Sequence, residues 1–240
     1  MRLMAVALML LPLFPGRAIA RDFERDLQAA LGPYYAALVA SSRGNIDQTQ
    51  RQILLFASKW ETVAREAPAQ APAAYRDDRQ WRALVDSVAG TLREATELCR
   101  RRDVAGAHAR LELIRLALRE IDERHNLLTV DDHLTDLHDA IQRMIGHVGG
   151  LNEIRLKPRD FEDIEEDFKA GEQAWKAVEA SAGPLAGSEA WRAAASDMTR
   201  TLSTIARDLQ GRRPGTLVPA IERLRDRYYD LLLAVSKARG

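Results

Sequence analysis

The chain is 240 residues long and carries 35 Lys and Arg against 35 Asp and Glu, so its formal net charge is zero. That balance offers no electrostatic footprint for nucleic acid or for an anionic membrane surface. One cysteine, Cys99, excludes a disulfide framework, so the fold must hold itself by its core.

The first twenty residues read as a secretory signal. Arg2 supplies a short positive n-region, residues 3–14 (LMAVALMLLPLF) are apolar but too short to span a bilayer, and Ala18-Ile19-Ala20 is an A-x-A cleavage site. Pro12, Pro15 and Arg17 interrupt the apolar run and argue against an uncleaved anchor. A mature periplasmic chain is expected to start near Arg21, with no later stretch of spanning length. Losing Arg2 and Arg17 with the leader leaves a small acidic excess.

From there nearly every segment has a helical period. Ile53, Phe56, Trp60 and Val63 mark one apolar face, and Trp81, Leu84, Val88, Leu92, Ala95 and Cys99 the next. Ala107, Leu111, Ile114, Leu118 and Ile121 follow, then Ile164, Phe168, Trp175 and Val178, then Met198, Leu202, Ile205 and Leu209, then Leu217, Ile221, Leu224, Tyr228 and Leu231. No stretch alternates with period two, so the fold class is all-α. The predicted helices cover 22–42, 45–66, 78–101, 104–126, 131–148, 159–181, 188–210 and 216–238. Asn45, Asp77 and Thr129 are expected N-caps, each followed three residues on by a side chain that can reach back. Gly32-Pro33 should kink or restart the first helix, and the Ala/Pro-rich run 67–74 reads as a loop.

Shifted by 110 residues, the chain partly matches itself. Trp81-Arg82 falls on Trp191-Arg192, Thr91-Leu92 on Thr201-Leu202, Arg102 on Arg212, Glu112 on Glu222 and Arg115 on Arg225. This self-match points to a duplication of a four-helix unit, with bundles over 21–128 and 129–240 after the signal peptide 1–20.

The two hairpins LCRRRDVAGAHARLELIRLAL (98–118) and LQGRRPGTLVPAIERLRDRYYDLLL (209–233) resemble the last hairpin of small soluble periplasmic four-helix cytochromes, the b-type bundle and cytochrome c′. The resemblance implies a bundle topology. It also implies haem ligands at a methionine position, here Gln28 and His138, and at a histidine position, here Asp122 and Leu232. Neither repeat keeps the pair, and no C-x-x-C-H is present, so fold is all that the resemblance carries.

Four of five histidines collect between 108 and 138. If the helices around them fold back about residue 128, facing positions have numbers summing to about 257. His125, His133, Asp136 and Asp122 would then meet at the turn, and His108, Glu112 and His147 at the far end, with His138 beside the apolar seam. Imidazole with carboxylate suits a transition metal such as Cu, Zn or Fe. Helix-terminal electrostatics explain many of the same residues without a metal. No nucleophile elbow, phosphate loop, dinucleotide turn or H-E-x-x-H is present. The expectation is a non-enzymatic exported binding protein that engages another envelope protein, with a transition-metal-binding or degenerate cytochrome-like haem-binding bundle using hairpin 108–147 as the alternative.

Overall fold

In a computed structural model of the chain, residues 15–71, 73–149 and 156–239 are described. They form α1 (Pro15–Ser42), α2 (Ile46–Gln70), the single turn α3 (Ala73–Arg76), α4 (Arg79–Arg100), α5 (Val104–His125), α6 (Val130–Val148), α7 (Pro158–Ser181), α8 (Glu189–Gln210) and α9 (Pro214–Arg239). A short 3-10 turn, Gly183–Gly187, precedes α8. No strand occurs among the described residues, and the protein is all-α. The apolar stretch of the expected signal peptide, up to residue 14, lies outside the described residues. No helix among them is long and apolar enough to cross a membrane.

Local chemistry sets the helix ends. Asn45 caps α2 by accepting from the Gln48 N–H at 3.0 Å. Thr129 and Asp132 form a capping box at α6, where the Asp132 carboxylate accepts from the Thr129 N–H at 2.6 Å. At α4 the cap is Asp78 rather than Asp77: its carboxylate takes the Gln80 N–H at 2.7 Å. Two further expectations change. α2 continues to Gln70, through half of the predicted loop. α1 runs on through Pro33, which leaves the Ala29 carbonyl without its usual N–H donor but does not restart the helix. Gly32 matters there for another reason. A Cβ on it would come within 3.3 Å of the Ser236 carbonyl oxygen, so a bare backbone lets α1 lie close against α9.

Two helix hairpins, α4–α5 and α8–α9, turn in the same way. Arg102 (φ 59°) and Arg212 (φ 46°) both adopt the left-handed conformation. Around them the Arg102 and Asp103 N–H groups donate to the Cys99 and Leu98 carbonyls at 3.0 and 2.9 Å. The Arg212 and Arg213 N–H groups donate to Leu209 and Asp208 at the same two distances. This sameness is compatible with the 110-residue self-match.

Packing completes two rings. Helices α1, α2, α4 and α5 contact one another in sequence around one centre, and α6, α7, α8 and α9 do so around a second. The rings share a seam: α1 packs on α9 and α5 on α6, so these four helices also surround a centre of their own. One contiguous apolar cluster runs through all of it. The tryptophans belong to this core: Trp60, Trp81, Trp175 and Trp191 are 1–4 % exposed. Trp60 also donates its indole N–H to the Val85 carbonyl at 3.2 Å, tying α2 to α4. Cys99 is buried, and burial pushes its thiol up, which suits a small core hydrophobe and not a reactive thiolate. Because Trp60 is sealed and hydrogen-bonded, Trp60→Ala should lower the unfolding free energy by about 3–5 kcal/mol, measured by urea denaturation at constant m-value.

Candidate functional site

The α5–α6 hairpin joins the two rings, and that position decides where its histidines point. Near the turn, the antiparallel register is close to expectation: Arg119 pairs with Asp136, and Arg115 reaches the Thr135 carbonyl and Asp139, both at 3.2 Å. Farther from the turn, each helix serves its own ring. His108 turns to α1, where Nδ1 and the Ser41 hydroxyl lie 2.8 Å apart, while Nε2 faces Glu112 at 3.6 Å. His147 turns instead to α7 and pairs with Asp167 at 3.0 Å. At the turn itself His125 holds Asp78, the α4 cap, at 2.8 Å and rests edge-on against Tyr75. His133 faces Asp136 at 3.8 Å.

Neither expected cluster is therefore assembled. His147 does not join His108 and Glu112, and His125 does not join His133 and Asp136. His138 comes closest to a ligand position, with Nδ1 3.9 Å from Glu112 and 3.6 Å from Asp139 but without a hydrogen bond at that nitrogen, while Nε2 lies 3.1 Å from the Gln142 amide nitrogen. Its ring packs on Tyr228 instead, as a core-edge histidine does. The carboxylate shared between His108 and His138 is already taken: the Arg115 guanidinium lies 2.8 Å from Glu112. A cation in that seat works against a metal ion. Among the described residues, no three His, Cys, Asp or Glu side chains converge into a group able to hold one.

What the hairpin does build is a cavity of about 260 Å³ under its turn, walled by α1, α3, α5 and the start of α6. Leu27, Leu31, Leu118 and Leu127 make much of its surface, with Phe23, Tyr34, Tyr35 and Tyr75 adding rings. The two positions where the cytochrome resemblance puts ligands in the first repeat, Gln28 and Asp122, line this same cavity. Three aspartates project from its wall in different settings. Asp131 is clamped: Tyr35 donates its hydroxyl at 2.6 Å, and the Arg239 guanidinium binds both oxygens at 2.8 and 3.0 Å. Asp132 is the capping carboxylate of α6, and burial pushes its carboxyl up. Asp122 accepts the Tyr75 hydroxyl at 2.6 Å. Burial pushes the Asp122 carboxyl up to about 7, and the negative charges of Asp132 and Asp131 add to this against the Tyr75 hydrogen bond and His125.

Sequence reasoning drew Asp122 to this region but missed Tyr35, Tyr75 and Arg239. Tyr34-Tyr35 is a local signal, since paired aromatics on one helix point to two surroundings. Arg239 carries none, because its partner lies 108 residues away. Comparison with protein-family models, with curated proteins and with solved structures finds no match to this chain.

An acid raised in the folded state contributes stability that is complete below its unfolded pKa of about 3.9 and is lost as pH rises through its folded value. For Asp122 that window runs upward to about 7. Asp122→Asn keeps the hydrogen bond from Tyr75 and removes the charge. The variant should gain stability relative to the parent between pH 4 and 8, as read from paired denaturation curves across that range. A difference that does not change with pH would show that Asp122 titrates normally.

Proposed function

We propose that this is an exported, non-enzymatic helical binding protein of the bacterial envelope, and that its binding element is the cavity under the α5–α6 turn. The observation that carries the reading is the composition of that cavity: an apolar enclosure with a few ionisable groups converging on it. An apolar cavity of about 150 Å³ holds a benzene ring, so 260 Å³ suits one ring with a short chain. Most ionisable groups on the wall are held by fixed partners, which favours binding over acid–base turnover. The leader-like residues 1–20 support export.

Magnitudes say what such a site must rely on. Burying roughly 200 Å² of apolar ligand surface contributes about 5 kcal/mol at 25 cal/mol per Å². Lost translational and rotational freedom offsets much of this. Apolar burial alone therefore gives weak binding, and a polar contact must supply the selectivity.

Two measurements test the proposal. Mass spectrometry of the protein recovered from the periplasm of an expression host should give a chain beginning at Arg21. Solvent extraction of the same sample should release one small organic molecule in near-stoichiometric amount. Leu118→Trp, which fills the cavity, should lose that molecule while keeping its helical circular dichroism. A chain retained in the cytoplasm with its leader intact would overturn the export part. A molecule retained equally by the filled variant would overturn the choice of cavity.

A further inference from the structure

Four carboxylates line the cavity, those of Glu24, Asp122, Asp131 and Asp132, together with two guanidiniums, Arg115 and Arg119. Tracing each charge to its partner shows what is left for a ligand. Arg115 is engaged by Glu112 and Asp139. Arg119 is engaged by Glu123 and Asp136. Neither guanidinium is free to take an anion. Asp131 is neutralised from behind by Arg239.

Asp122, Asp132 and the solvent-exposed Glu24 remain, and among the described residues neither aspartate has a Lys or Arg ion-pair partner. Asp122 has the Tyr75 hydroxyl, and Asp132 has the Thr129 N–H and hydroxyl. Two acids facing an apolar space, with only His125 and His133 nearby and no Lys or Arg partner, are costly to ionise there. Four aromatic rings, those of Phe23, Tyr34, Tyr35 and Tyr75, stand around the same space. Aromatic rings can attract a cation, although the Tyr35 ring already carries the Arg239 guanidinium at 5.6 Å.

We infer that the cavity takes an organic monocation, an ammonium group on an apolar body. The ammonium sits against Asp122 and Asp132, and the body lies against Leu27, Leu31 and Leu118. This rests on the reading of the cavity as the binding element. An anionic ligand would face two unpaired acids and no available arginine.

The charge on Asp122 couples binding to pH. The groups around it are Tyr75 on α3, His125 on α5, Asp131 and Asp132 on α6, and Glu24 on the α1 wall. Below its raised value the empty site holds the neutral acid, so an arriving ammonium displaces the carboxyl proton to solvent. Above it the carboxylate is already formed, and no proton is released.

The test uses three probes with one body: 4-phenylbutylammonium, 4-phenylbutanol and 4-phenylbutyrate, titrated calorimetrically into the protein and into Asp122→Asn. The ammonium should bind at least tenfold more tightly than the alcohol at pH 8. Its affinity should fall about tenfold between pH 8 and pH 6, as protonation of a group titrating near 7 requires. At pH 6 its binding should release a proton, read from buffers of different ionisation enthalpy. In Asp122→Asn the ammonium preference over the alcohol should fall at least fivefold, with helical circular dichroism and thermal unfolding showing that the variant is folded. Equal binding of alcohol and ammonium, or tightest binding of the butyrate, would overturn the cation assignment and leave the cavity reading standing. A preference that survives Asp122→Asn would overturn the seat assigned to the ammonium. Failure of all three probes to bind at millimolar concentration would overturn the cavity reading and this inference with it.

Discussion

A buried guanidinium stands where the two helical rings meet. Arg115 is only 7 % exposed, and its nitrogens reach Glu112 on its own helix and the Thr135 carbonyl and Asp139 on α6. A buried charge is tolerated only when its donors are satisfied and its charge is countered. The α5–α6 hairpin must therefore stay in the register that supplies these partners. That register brings the start of α6 beside Tyr35 of α1 and occupies Glu112, a carboxylate that faces both His108 and His138. One cavity wall follows from this arginine's requirements, and Glu112 is withdrawn from the histidines beside it.

A second clamp closes the cavity from the other side. Asp131, at the start of α6, receives a hydroxyl from α1 and a guanidinium from the end of α9, and that guanidinium lies over the Tyr35 ring at 5.6 Å. Both rings thus contribute to one polar contact at the edge of the cavity. The acids beside it differ by environment and not by type. Asp131 has a full counter-charge, Asp132 gives one oxygen to a helix cap, and Asp122 has one hydroxyl and an apolar outlook. Graded satisfaction of this kind is how a mostly apolar pocket acquires one adjustable charge.

The helices were largely legible because their information is local. Trp81, Leu84, Val88, Leu92 and Cys99 declare a buried face by spacing alone, and Asn45 and Thr129 declare starts by side-chain chemistry. The exceptions are also local and have local causes. Asp77 and Asp78 are chemically equivalent caps, and only the path of the chain from α3 selects the second. Pro33 removes one hydrogen bond, which the packing of α1 against α2, α5 and α9 overrides. The site was far less legible. The histidines are close in sequence, and closeness suggested a shared purpose, yet His108, His125 and His147 each serve a different neighbouring helix.

The sequence by itself determined the all-α class, the extent of nearly every helix and the burial of the four tryptophans. These depend on residue spacing and on backbone preferences that act over a few positions. Tertiary structure alone decided which acids were left uncompensated. Arg239 reaches Asp131 across 108 residues and Tyr75 reaches Asp122 across 47. Whether a carboxylate is neutralised depends on what arrives beside it in space, and neither its own identity nor its neighbours in the chain contain that information.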